Sequence, residues 1–157
     1  MKFIDWISDH LKKGGSICLA VMMFITCADV VGRAFGHPFF GSVEVVTIMA
    51  TLALAMSLPF THDSKGHVGV EILVRLFSIK TQTIIELCTE ILSFCLFGLL
   101  TWRMTLYANT LRRSGEVTMN LKLPEYAVVY AMSFCLIILT IIILKGIILN
   151  IKKLRTQ

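Results

Sequence analysis

The chain has 157 residues, 56% of them hydrophobic and only 16% charged, with a formal net charge of +5 and a mean hydropathy of +0.80. Soluble domains carry about 45–50% apolar and about 25% charged residues, so an ordinary soluble domain is excluded. The basic residues sit at the ends of apolar blocks, which speaks for orientation in a membrane and against nucleic acid as a partner. A helix needs about 20 apolar residues to cross a bilayer. The chain has room for four such helices, and residues 1–157 therefore read as a single membrane domain. Residues 2–13 place Phe3, Ile4, Ile7 and Leu11 on one helical stripe, with Trp6 suited to the headgroup region. This predicts a short amphipathic helix in the interface. A signal peptide is the alternative, because Lys12 and Lys13 precede an apolar run, but no clear A-x-A site follows and the run continues to Phe35.

The first span, 16–35, carries Asp29 and Arg33 four residues apart on one face. The connection Gly36-His37-Pro38-Phe39-Phe40-Gly41 forces a hairpin into the second span, 42–60. Ser42 can cap that helix, and Glu44 lies in its first turn, at the positive end of the helix dipole. Asp29, Arg33 and Glu44 read either as charges that hold hairpin or partner contacts, or as a proton or ion site. The connection 61–80 mixes charge with hydrophobicity. Val70, Leu73, Val74 and Phe77 fall at i, i+3, i+4 and i+7, while Glu71 precedes Arg75 by four on another face. It reads as a second interfacial helix, braced against the acyl boundary, with His67 and Glu71 toward headgroups or a partner.

The third span is expected over 84–108, with Thr83 to Glu86 as a capping box at its start. Glu86 and Glu90 share a face, suited to proton transfer or, more simply, to water or basic partner residues. Trp102, Arg103 and Tyr107 mark an interface. The loop 109–123 carries Arg112, Arg113 and Glu116. Pro124 then opens the fourth span, 124–150, where its missing N–H costs nothing. The expected fold is an all-α integral membrane protein, with four transmembrane helices arranged as two hairpins. Ten Lys and Arg residues fall at the two termini and in 61–80, against five in the other two loops and adjoining helix ends. The positive-inside rule therefore places both termini and the 61–80 connection in the cytoplasm.

Catalytic chemistry is not legible. No nucleophile, base and orienter occur as a set, and no glycine loop for phosphate is present. His10, His37, His62 and His67 fall outside the spans, whereas a haem-binding membrane subunit would place histidine ligands within helices. His62 and His67 flank Asp63, and a metal site there competes with plain solvation. Cys18, Cys27, Cys88, Cys95 and Cys135 lie in apolar blocks and read as small buried hydrophobes. Neither enzyme activity nor a cofactor is expected. A lone carrier would need polar groups or broken helices at mid-membrane depth, and the spans are poor in both. The reading that remains is an accessory or scaffold subunit. Its competitor is a self-contained four-helix carrier or channel using Asp29, Glu44 or Glu90 for coupling ions.

Several motifs occur in a fixed order around the four spans: Arg33 near the end of the first, then HPFFGSVE with Pro38 and Glu44, then HVGVEIL, then LPEYAVVY entering the fourth. Over residues 14 to 150 this resembles the small membrane subunit (DctQ type) of tripartite ATP-independent periplasmic, or TRAP, transporters. The resemblance implies a bacterial inner-membrane protein bound to a large membrane subunit, which holds substrate and sodium sites and moves as an elevator. It also implies a periplasmic binding protein that delivers an organic acid. The small subunit would anchor the static scaffold without binding substrate. Arg33, Glu44, His67 and Pro124 would carry partner and scaffold contacts, with Asp29 paired to Arg33. Arg112, Arg113 and Glu116 would be placed to face the binding protein.

Overall fold

The computed structural model describes residues 2–63 and 79–155, with side chains over 6–62 and 81–152. Four helices make up almost all of it: α1 Lys2–Ala34, α2 Ser42–Asp63, α3 Ile79–Ser114 and α4 Glu125–Arg155. Each is long and apolar enough to cross a membrane. Among the described residues there is no strand, only an isolated bridge between Val117 and Pro124. In hydrocarbon no water can satisfy backbone N–H and C=O groups, so the aliphatic blocks become helices despite their many β-branched residues. The protein is an all-α membrane protein with four spans.

The helices form an open row, not a closed bundle. α1 packs on α2, α2 on α4, and α4 on α3, while the remaining pairs touch marginally at most. The spatial order is therefore α1–α2–α4–α3. The central position of α4 is visible in its burial: 39% of its most apolar window is buried inside the protein, against 6% for that of α3. Its Leu136, Leu139 and Ile143 form the core, with Phe94, Phe97 and Met104 of α3 and Leu58 of α2 packed against them.

The two hairpins close by different means. In α1–α2 the backbones approach at small residues. A Cβ on Gly15 would lie 3.3 Å from the carbonyl oxygen of Ala53, and one on Gly14 would meet the Met56 methyl at 2.7 Å. Lys12 lies over the Phe60 ring, 3.8 Å from its centroid. In α3–α4, hydroxyl groups form rungs: Thr101 with Thr140 at 3.3 Å, and Thr105 with Ser133 at 2.7 Å. The Tyr130 hydroxyl donates to Asn109 at 2.7 Å.

Several boundaries differ from the expected ones. The expected interfacial helix 2–13 and first span are one unbroken helix, with Ser8 buried and Gly15 packed on α2. At about 1.5 Å per residue its 33 residues reach about 50 Å, well beyond the roughly 30 Å hydrocarbon core. The capping box fails: α3 is already under way at Ile79, so Thr83 lies inside the helix and is buried. α3 also runs six residues past Ala108, which puts Arg112 and Arg113 in its last turn instead of in a loop. The reading of all five cysteines as buried holds for Cys135 alone. Cys18 is half-buried, and Cys27, Cys88 and Cys95 are exposed. His67, Val70, Leu73, Val74 and Phe77, with the amphipathic helix they were expected to form, lie outside the described residues.

Candidate functional site

The turns 35–41 and 115–124 lie at the same end of the row, and most of the charged residues singled out in the sequence converge there. α1 ends in a glycine C-cap. His37 N–H donates to the Gly32 carbonyl at 2.8 Å and Gly36 N–H to that of Arg33 at 3.1 Å. Gly36 supplies the left-handed φ of 77° that this double bond requires. Asp29 ties the turn down. One carboxylate oxygen accepts the Phe39 N–H at 3.0 Å, and the other accepts Arg33 Nε at 2.9 Å. The second guanidinium contact, from an Arg33 terminal nitrogen, is also 2.9 Å. Ser42 does not cap α2 as expected. It is buried, and its hydroxyl bonds to Asp29. The expected Asp29–Arg33 pair is therefore present, and its work is to fold the hairpin turn.

Glu44 holds a hairpin contact, one of its two sequence readings, but with a partner the sequence did not signal. Its carboxylate leaves its own helix and accepts two backbone N–H groups of the other hairpin, Asn120 at 2.7 Å and Leu121 at 2.9 Å. The side chains of Thr118 and Asn120 bond to it as well. Two charge-assisted bonds to adjacent amides fix both position and orientation. The receiving loop is itself ordered. Thr118 N–H donates to the Leu123 carbonyl and Leu123 N–H to the Thr118 hydroxyl, both at 3.0 Å. Lys122 adopts a left-handed φ of 51°, a conformation that a non-glycine residue holds only when its surroundings offset the strain. Leu121 sits on Gly41, where any Cβ would come within 2.6 Å of its Cγ and where φ is 78°.

The expected cluster of Asp29, Arg33 and Glu44 thus divides into two devices. Asp29 and Arg33 close the first hairpin on itself, and Glu44 clasps the first hairpin to the second. Beside the clasp lies a cleft of about 510 Å³, lined by Val43, Thr47 and Thr51 of α2, Met119 and Leu123 of the loop and Val129 of α4. Pro124 stands one residue before α4, its carbonyl accepting the Ala127 N–H at 3.3 Å. Arg112, Arg113 and Glu116 are exposed at the same end. At the far end of α3, Glu90 lies against Gly146 of α4, whose missing side chain makes room for the carboxylate. Among the described residues no three His, Cys, Asp or Glu side chains are grouped to hold a metal ion.

Neither the partners of the Glu44 clasp nor the hydroxyl rungs are legible in the sequence. The rungs had a signal of sorts in Thr101, Thr105, Ser133 and Thr140, although each threonine hydroxyl also bonds the carbonyl four residues back in its own helix. That local bond makes the cross-helix partner unreadable from spacing alone.

Four spans in an open row, with Asp29, Arg33 and Glu44 engaged in holding the turns, define a helical membrane component. Residues 22–153 match the family of the tripartite ATP-independent periplasmic transporters, DctQ component. The chain belongs to that family, which makes it the small component of a TRAP transporter. No curated protein and no solved structure matches it.

Proposed function

We propose that the chain is the scaffold subunit of a sodium-driven, binding-protein-dependent transporter for an organic acid. It would stabilise the static part of a large elevator-type membrane subunit and bind no substrate itself. Sodium and substrate would be held by that partner, and a periplasmic binding protein would deliver the substrate. The observation that carries this reading is the open row. A single layer of helices cannot enclose a path across a bilayer without a second wall, yet this one spends its turn-end carboxylates on rigidity. The Asp29–Arg33 pair, the Glu44 clasp and the α3–α4 rungs stiffen a plate with two broad apolar faces.

Family membership supports a bacterial inner-membrane location, and the charge distribution supports cytoplasmic termini, which would turn 35–41 and 115–124 toward the periplasm. The 61–80 connection would then brace the hairpins at the cytoplasmic surface through Val70, Leu73, Val74 and Phe77, with His67 beside it. Charged substitutions at Leu73 and Phe77 should lower complex yield more than a change at Ser78.

Reconstituted uptake tests the main reading. Liposomes holding this chain and the large subunit, supplied with binding protein and a sodium gradient, should accumulate substrate, and neither membrane chain alone should. Sodium-dependent uptake by this chain alone would sink the proposal. Arg33→Ala should weaken co-purification of the large subunit, because the α1–α2 turn it holds loses its anchor.

A further inference from the structure

We infer that the outer edge of α3 is a binding site for an anionic phospholipid, phosphatidylglycerol. Arg103 takes its phosphate, Trp102 and Tyr107 flank its headgroup, and Leu92, Leu96 and Leu99 lie along an acyl chain. The site requires only that the chain spans a bilayer, and it is independent of any role in transport.

The first observation is a charge without an answer. Ionisable groups inside membrane spans ordinarily face a protein interior or pair with one another. Arg103 does neither. It is exposed, and among the described residues it makes no ion pair or hydrogen bond. It is also well inside the span. Asn109 meets Tyr130 five residues past the start of α4, and Arg103 lies six residues further along α3, about 9 Å deeper. Helical Cα–Cβ bonds tilt toward the N-terminus, which on α3 is away from the turn end. The long side chain therefore starts out pointing down the span, and its reach back to water is shortened. A phosphate brought to the guanidinium supplies the missing counter-charge, with a geometry that suits two parallel N–H···O bonds.

The second observation is the shape of the face. Phe94, Phe97, Thr101, Met104 and Thr105 of α3 turn toward α4. Leu92, Leu96, Leu99, Arg103 and Tyr107 recur at spacings of three and four on the opposite side, and all are exposed. Helix–helix contacts in membranes favour small residues, and this stripe has none. Bulky leucines topped by a cation and two aromatic rings match a lipid instead: acyl chain below, headgroup above. The net charge of the lipid follows from the lone cation. A zwitterionic lipid brings an ammonium with its phosphate, and its net attraction to Arg103 is smaller. A second copy of the chain fits poorly, because a two-fold axis normal to the membrane would set Arg103 against Arg103.

The full-length chain carrying Trp6→Phe keeps Trp102 as its one indole, since the sequence holds two. It is reconstituted in phosphatidylcholine vesicles with a rising fraction of phosphatidylglycerol brominated on its acyl chains, and quenching of Trp102 is compared with that by brominated phosphatidylcholine. Phosphatidylglycerol should be preferred beside Trp102 by about fivefold, as one basic residue at an anionic surface provides. Arg103→Gln should bring the ratio close to one without moving the Trp102 emission maximum, and Arg103→Lys should keep most of the preference. Arg113→Gln, ten residues on and at the end of the same helix, should leave it unchanged. The parent titration needs no variant to insert, and equal quenching by the two lipids there overturns the site. So does a preference that survives Arg103→Gln, or one lost equally in Arg113→Gln, which would assign it to general surface charge. Loss of the preference on adding inorganic phosphate would mean a site for the free anion. Loss of quenching by both lipids once the large subunit is co-reconstituted would give the face to protein. Either result overturns the lipid site.

Discussion

The two hairpins solve one problem in opposite ways. Between helices in lipid there is no hydrophobic driving force, because the acyl chains are as apolar as leucine, so association rests on close contact and on hydrogen bonds. α1 and α2 use close contact: Gly14 and Gly15 let the backbone of one helix reach Ala53 and Met56 of the other. α3 and α4 use hydrogen bonds, with Thr101, Thr105 and Asn109 meeting Thr140, Ser133 and Tyr130 in antiparallel register. Close contact depends on the absence of atoms, and the rungs depend on their presence. The two hairpins should therefore fail under opposite kinds of substitution.

Removing what joins the hairpins should have the largest effect. Glu44→Ala takes away both bonds to the 115–124 loop and leaves two amides without their acceptor. Spin labels placed on α1 and α3 should then report a broadened distance distribution, while each hairpin keeps its own internal distances. Glu44→Gln retains one acceptor oxygen and should fall between. An unbroadened distribution in the alanine variant would mean that the α2–α4 packing alone fixes the hairpins.

Overfilling the first hairpin comes next. Gly15→Leu puts a side chain where a Cβ alone already lies 3.3 Å from the Ala53 carbonyl, and overpacking of this kind costs about 1–3 kcal/mol. Thermal melting in detergent should show the loss, with α3–α4 cross-links unaffected. The mildest break is Thr105→Val, which keeps the shape and deletes the 2.7 Å bond to Ser133. Such bonds in membrane helices average about 0.6 kcal/mol and reach about 1.7. A double-mutant cycle with Ser133→Ala should return a coupling of that size, and a coupling of zero would show that the rung is incidental.

The sequence foretold what lies close along the chain. Asp29 and Arg33 are four apart, so their pairing follows from helical spacing alone. Gly36 and Gly41 bracket a proline, so the turn follows from backbone chemistry. That Glu44 holds a hairpin contact was among the readings, but its partners were not legible, because they are backbone amides some 76 residues away and a backbone N–H leaves no mark in a sequence. The local explanation, a carboxylate at a helix start, was correct in place and incomplete in consequence. The extension of α3 past Ala108 was missed for a related reason. Asn109 to Ser114 is too polar to be counted in a span, yet nothing in it stops a helix until Gly115.

The row has a further consequence, for biogenesis. α4 is the last of the four described helices in chain order but stands between α2 and α3. Until it emerges from the ribosome, α3 has no substantial neighbour within the described chain. Assembly of the described row is therefore gated by α4. A nascent chain arrested before Glu125 should contain one finished hairpin and one orphan span, and such an orphan is the kind of intermediate that membrane quality-control proteases clear.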